Sequence, residues 1–327
     1  MLSSVAERVY WLGRYLERAE NSARLLKVYS AMLFDLPRGS SLDWQTLIDI
    51  VGGNEAYAKK YQDFDEKQVV KFLLADTDNP NSIFSSLVMA RENARTTREV
   101  IPSEAWEQVN EIYHILKDNL NPRMGRAARY SLLEEIITNS QRIEGLFISC
   151  MSHNKAFAFI ELGRKLERAD MTSRLVDVGS INLLPAFSTK TKQRVFLEPY
   201  ENIVWMNVLR CLGAFQAYRQ QVQNRVSGEE VVRFLLQDEE FPRSIGFCLN
   251  ELVFYLEQLP NNEDVIRAVS RVKRITREVK VETLIDRGLL EFIDELQISI
   301  ADIHEEILRV WFNLERKPAE AEKNTAA

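Results

Sequence analysis

Two stretches of this chain repeat one another, and that repeat limits the fold more than any other feature. Residues 12–26 read LGRYLERAENSARLL and residues 162–176 read LGRKLERADMTSRLV, identical at nine of fifteen positions at an offset of 150. Chance would give about one identity at average residue usage. Two further blocks follow in the same order. Residues 44–57 (WQTLIDIVGGNEAY) match 205–218 (WMNVLRCLGAFQAY) at Trp, Gly, Ala and Tyr, at offset 161. Residues 69–83 (VVKFLLADTDNPNSI) match 231–245 (VVRFLLQDEEFPRSI) at nine of fifteen positions, at offset 162. Blocks in one order point to a tandem duplication. The jump in offset places a net insertion of 11 residues in the second copy, within 179–200. The polar run Ser188-Thr189-Lys190-Thr191-Lys192 makes this the expected flexible loop.

The repeated segment has helical periodicity, with Leu12, Leu16, Ala19, Ala23 and Leu26 at i, i+4, i+7 spacing. A chain of 327 residues holding 12 glycines and 9 prolines is poor in turn formers, which argues against an all-β sandwich or barrel, and the expected class is all-α. The first helix is predicted over 3–35, stopping at Leu36-Pro37-Arg38-Gly39. Asn81-Ser82 caps a helix running to Val100 before Pro102. Ser103 opens the next, ending near Pro122. The second repeat helix starts after Ser152-His153-Asn154, and the last covers 289–314. The expected architecture is one helical bundle with pseudo-twofold symmetry, built from halves 1–150 and 151–316. No Pro/Gly/Ser-rich linker near residue 150 favours two separate bundles. The Ala, Glu, Lys, Asn and Thr of 317–327 predict a disordered tail.

Net charge is −6, divided equally between the two halves, so the basic footprint of a nucleic-acid binder is missing. Cys150, Cys211 and Cys248 are far apart within apolar stretches, without CxxC spacing. Buried, reduced thiols are expected. Glu7 and Arg8 precede any apolar run, unlike a signal peptide, and no uncharged stretch reaches the roughly 18 residues of a membrane span. A cytoplasmic protein is expected.

The two copies serve as an internal comparison. Leu12, Leu16 and Ala19 share one helical face. Gly13, Glu17, Glu20 and Arg24 form a second stripe, and Arg14, Arg18 and Leu25 a third. Copy two repeats them as Gly163, Glu167, Asp170 and Arg174, and as Arg164, Arg168 and Leu175. A helix held constant all round is expected to be surrounded by other helices, with its charges paired. Glu20–Arg24 and Asp170–Arg174 have i, i+4 spacing. Arg14–Glu17–Arg18 and Arg164–Glu167–Arg168 are the expected second set. Such a network either fixes register between the halves or grips an anion with converging arginines. The halves also differ. Arg91, Glu92, Asn93 and Arg95 stand in a polar stretch whose counterpart at offset 162 is apolar, around Leu252-Val253-Phe254. The polar copy is the candidate working surface.

LERAENSARLL, ARENAR, the nearby Trp106 and LLQDEEFPRSI together resemble the Alpha-E family, an all-helical domain named for a Glu-Arg motif. The resemblance covers the chain to about residue 316. Glu17, Arg18, Glu167 and Arg168 match the named motif; Arg91, Glu92, Asn93 and Arg95 match a second family-like stretch. The resemblance implies a neighbourhood of circularly permuted ATP-grasp ligases and transglutaminase-like cysteine peptidases, sometimes with a proteasome-like peptidase. It thus implies a role in peptide or amide-bond modification, and it brings no established catalytic residue.

Other chemistries lack their residues. Glu111 and His114 form one ExxH, and neither His153 nor His304 supplies the second half of a di-iron pair. There is no DDxxD, no phosphate-binding glycine loop and no acid–base set beside a cysteine. No metal or cofactor is expected. Three readings remain. The first is a non-catalytic accessory or scaffold subunit for the amide-ligase and peptidase system, tested by pull-down. The second is a binding module for a peptide or anionic small molecule, tested by ligand-dependent stabilisation without turnover. The third is an enzyme using Glu/Arg acid–base chemistry, tested by turnover of the isolated chain.

Overall fold

A helix that is apolar on several faces must be covered on several faces, and two long helices of this kind set the architecture. The computed structural model describes residues 2–35, 43–121, 124–181, 194–222 and 225–312. Among them are fifteen α-helices and no strand. Helix α1 (Ser3–Asp35) and α8 (Lys155–Ile181) carry the two copies of the repeat and lie against one another. A Cβ on Gly13 would sit 2.2 Å from the Ile160 carbonyl oxygen, and one on Gly163 would sit 2.2 Å from the Tyr10 carbonyl oxygen. Backbone therefore meets backbone at the crossing, an approach that only glycine permits.

The first set of helices comprises α2 (Trp44–Val51), α3 (Asn54–Ala58), α4 (Glu66–Leu74), α5 (Ile83–Thr96), α6 (Ser103–Asn119) and α7 (Arg126–Cys150). After α8 come α9 (Arg194–Cys211), α10 (Phe215–Gln221), α11 (Gly228–Gln237), α12 (Ile245–Leu256), α13 (Glu263–Glu278), α14 (Val281–Arg287) and α15 (Leu289–Ile307). A π-helical turn, Leu308–Phe312, closes the described chain. Helices α5 and α7 flank α1, while α12 and α15 flank α8; α6 bridges the first pair and α13 the second. The short helices cross over: α2 packs on α8 and α9 packs on α1. One apolar core runs through both sets, with Leu12, Ala19, Leu162 and Ala169 fully buried within it.

Local chemistry fixes the boundaries. Ser82 accepts from the Ser85 N–H at 3.0 Å to cap α5, and Ser244 accepts from the Phe247 N–H at 3.1 Å to cap α12. Asn154 accepts from the Ala156 N–H at 2.9 Å at the start of α8. Gly52 and Gly213, with φ of 65° and 64°, turn the chain after α2 and α9. Helix α5 ends at Thr96, short of Val100. The hydroxyls of Thr96 and Thr97 donate back to the Asn93 carbonyl at 3.1 and 2.7 Å, which competes with continuing the helix. The last helix changes pitch at Leu308 instead of running on as α-helix. The widened turn lets the Trp311 indole donate to the Pro260 carbonyl at 3.0 Å, while the Ser3 hydroxyl donates to the Trp311 carbonyl. The expectation of three buried cysteines is corrected: Cys211 and Cys248 are buried, but Cys150 is exposed. It ends α7 on the outer face, and only Phe147 of the apolar run before it points fully inward. The expected breaks at 36–39 and 122, the polar run at 188–192 and the tail at 317–327 lie outside the described residues.

Candidate functional site

Because α1 and α8 touch at Gly13 and Gly163, the charged residues one turn further along each helix face the other helix. Glu167 accepts from Arg14 Nε at 2.7 Å and from Arg18 Nε and Nη2 at 2.5 and 3.0 Å. Glu17 accepts from Arg168 Nε and Nη2 at 2.8 and 2.7 Å. The expected sets within each helix, Arg14–Glu17–Arg18 and Arg164–Glu167–Arg168, are thus corrected. Each carboxylate is held by arginines of the opposite helix, because the close crossing brings those guanidiniums nearer than neighbours on the same helix. The i, i+4 pairs form as the spacing predicts, Glu20–Arg24 at 2.8 Å and Asp170–Arg174 at 2.9 Å.

Several partners escaped the sequence reading. Arg243, at the cap of α12, donates to Glu17 at 2.8 Å, Glu20 at 2.8 Å and Asn21 at 2.7 Å. Arg164 pairs with Glu161 at 2.7 Å, with Glu144 at close range and with Glu17 at 3.7 Å. Lys165 lies between Glu161 and Glu251 at 3.5 and 3.6 Å. On the other side, Arg18 donates to Asn81 at 3.0 Å, and the Tyr10 hydroxyl meets His304 Nδ1 at 2.8 Å. A signal for Arg243 existed, since it aligns at offset 162 with Asn81 as a mismatch inside an otherwise close block.

Electrostatics follow from burial and pairing. Burial alone would raise the Glu167 carboxyl, but Arg18 and Arg14 hold it down to about 2. Burial opposes ionisation of Glu17 as well, yet Arg168 and Arg243 keep it well below the usual carboxylate range. His304 is pushed down to about 4, first by burial and then by the Arg14 charge. Burial lifts the thiols of Cys211 to about 12 and Cys248 to about 11, so neither is a ready nucleophile.

The second candidate cluster is elsewhere. Glu92 and Arg95 pair at 2.7 Å with each other at the surface of α5, both side chains about half exposed. Arg91 donates to Asn110 at 2.7 Å and lies 4.8 Å from the Tyr113 ring centre. Asn93 contributes its backbone carbonyl to the Thr96 and Thr97 hydroxyls. These four residues, Arg91, Glu92, Asn93 and Arg95, do not join the central network. They occupy a helix flank where solvent and aromatic rings satisfy them.

Among the described residues no group of three or more His, Cys, Asp or Glu side chains is placed to hold a metal ion. His114 is exposed, and His153 stacks on Phe157 with ring centres 4.0 Å apart. Also among them, no helix is long and apolar enough to cross a membrane.

The chain is 21% identical over 310 residues to an uncharacterized protein of Mycobacterium bovis, and equally to one of Mycobacterium tuberculosis. In both cases the match takes in 89% of this chain and 33% of the relative, so the chain spans about a third of those proteins' length. No solved structure matches it. The model of the Alpha-E family, described as a predicted alpha-helical domain with a conserved ER motif, matches residues 1–312. With its two Glu-Arg pairs interlocked at the crossing of α1 and α8, this chain belongs to the Alpha-E family.

Proposed function

We propose that the chain is a tandem duplication whose halves, 1–150 and 151–316, form one pseudo-twofold unit. In this reading it serves in the cytoplasm as a non-catalytic accessory or scaffold subunit of a peptide-modifying system. Its partners would be a circularly permuted ATP-grasp amide ligase and a transglutaminase-like peptidase. The observation that carries the non-catalytic part is the saturation of the Glu-Arg centre. Glu17 and Glu167 are each clamped by two or more guanidiniums and held ionised far below neutral pH. A general acid or base works best with a pKa near the operating pH and a free path to its proton. These carboxylates have neither, and the arrangement suits a joint between α1 and α8. The accessory part is supported by the mycobacterial relatives, in which the matching region is about a third of a longer chain. A domain found within larger proteins fits work beside other polypeptide.

The test is co-expression of the full chain with a circularly permuted ATP-grasp protein and a transglutaminase-like protein from the same organism. Size-exclusion chromatography follows the complex, and the isolated chain is assayed for ATP hydrolysis and amide-bond turnover. Co-elution with at least one partner, and no turnover alone, is the expected result. Failure to associate with either protein removes the accessory role, and turnover by the isolated chain removes the non-catalytic one.

A further inference from the structure

The two carboxylate centres are built from equivalent helices but do not balance their charges alike. Around Glu17 the carboxylates of Glu20, Glu144 and Glu161 join it, against the guanidiniums of Arg24, Arg164, Arg168 and Arg243. Lys165 and Glu251 add one charge of each sign, so that side is neutral. Around Glu167 stands one further carboxylate, Asp170, against Arg14, Arg18 and Arg174. Counted over close ion pairs, that side carries one surplus positive charge; half-buried Asp177, further along α8, reaches Arg174 only at longer range.

Three exchanges produce the difference. Arg243 aligns with Asn81 at offset 162, and Glu161 with Trp11 at offset 150. Glu144 aligns with His304 at offset 160, where the buried positions of α7 at 133, 136, 143 and 147 recur in α15 at 293, 296, 303 and 307. One arginine and two carboxylates are therefore lost on the Glu167 side. Burial and Arg14 keep His304 neutral at pH 7, so it does not add to the surplus.

The exchanges also open space. Where Arg243 fills the Glu17 side, the shorter Asn81 leaves a cavity of about 190 Å³ whose lining includes Arg14, Asp170, Arg174 and His304. Among the described residues Arg174 donates only its Nε–H, to one oxygen of Asp170, so the far end of its guanidinium is unused. Arg174 has one close counter-charge, Asp170, and spare N–H donors on its far edge, so a ligand that supplies a further carboxylate is favoured there.

We infer that the cavity beside Glu167 binds a small monocarboxylate, held by the Arg174 guanidinium and attracted by the Arg14 charge, in the space that Arg243 fills on the opposite side. The planar carboxylate matches the guanidinium fork. Its single charge neutralises the surplus, whereas a phosphate of about −1.5 to −2 would exceed it and face the oxygens of Glu167 and Asp170. The volume equals about six waters, at roughly 30 Å³ each, which admits a molecule of a few heavy atoms. A hydroxyl on such an acid can donate to the second oxygen of Asp170, which makes glycolate a suitable probe. The inference concerns the isolated chain and does not depend on any partner protein.

The experiment is calorimetric titration of the full chain with glycolate and, separately, with inorganic phosphate, at pH 7 and low salt. Glycolate is expected to saturate one site more tightly than phosphate. Arg174→Gln is expected to weaken it at least tenfold. His304→Glu restores the carboxylate that the other side has, fills the charge deficit from within and should abolish binding. His304→Gln keeps the site's charge and should retain binding within about threefold, a change of less than 1 kcal/mol. Circular dichroism checks that each variant is folded, and the two His304 variants decide the matter if Arg174→Gln is not. No saturable glycolate binding at about 10 mM, tighter binding of phosphate, or unchanged binding by His304→Glu overturns the proposal.

Discussion

Arginines and glutamates of the same kind are found at two places, the crossing of α1 with α8 and the flank of α5, and they do different things. At the crossing, Arg168 and Glu17 have side chains 3% and 1% exposed and come from residues 151 positions apart. On α5, Arg95 and Glu92 are 50% and 51% exposed and three positions apart. The first pair ties distant chain segments and is buried; the second sits in solvent and ties a helix only to itself. Residue type therefore says little about energetic weight. Burial and sequence separation say much more.

The sharpest way to break this contrast is Arg168→Ala. It removes a buried partner of Glu17 and should cost about 3–5 kcal/mol in a urea titration. Arg18→Ala, whose side chain is 17% exposed, should cost less. Equal and negligible losses at both would mean that the crossing is solvated. Next comes Gly163→Ala, which forces a methyl against the Tyr10 carbonyl. It should destabilise by about 3 kcal/mol, although alanine is intrinsically better in a helix by roughly 1 kcal/mol. Gly145→Ala in α7 is the matched control, since a Cβ there meets nothing within 4 Å. That change should stabilise by about 0.5–1 kcal/mol.

Acid sensitivity divides into two windows. His304, lowered from 6.5 to about 4, is neutral in the fold and protonates more readily when unfolded. Its contribution is complete above pH 6.5 and is lost as pH falls toward 4. Glu167, lowered from 4.5 to about 2, contributes fully above pH 4.5 and loses that contribution as pH falls toward 2. Denaturation midpoints measured across pH 7 to 2 should show both. His304→Gln should erase only the upper window, and survival of that window would move its origin to another group. The smallest effect is expected at Arg95→Ala, whose denaturation midpoint should match the unmodified chain. A marked loss there would show that the α5 flank is more than a solvated surface.

The sequence made the α1 and α8 helices, their all-round burial and their local Glu20–Arg24 and Asp170–Arg174 pairs legible. Each follows from a period of 3.6 and from identity between two copies. It did not reveal that Glu17 and Glu167 exchange partners across the crossing. A helical wheel knows only its own helix, and partner choice was set by the glycine contact at 13 and 163. Arg243, Glu144 and His304 were missed for a related reason. They come from helices that sequence periodicity does not place beside α1 or α8. Alignment of the copies located Arg91 and Arg95 as divergent, but divergence alone could not separate a solvated flank from a site.

The crossing over of the short helices has a consequence for how the chain is made. Helix α2 emerges from the ribosome early, yet it packs on α8, which begins at residue 155. At about 5–20 residues per second, the first half waits several seconds or more with the α8-facing sides of α1 and α2 uncovered. During that interval Glu17 lacks Arg168 and Arg243 altogether. Synthesis therefore passes through a stage at which a nascent chain holds an uncovered apolar surface and an unmatched carboxylate. Neither is resolved until the second copy of the repeat has been translated.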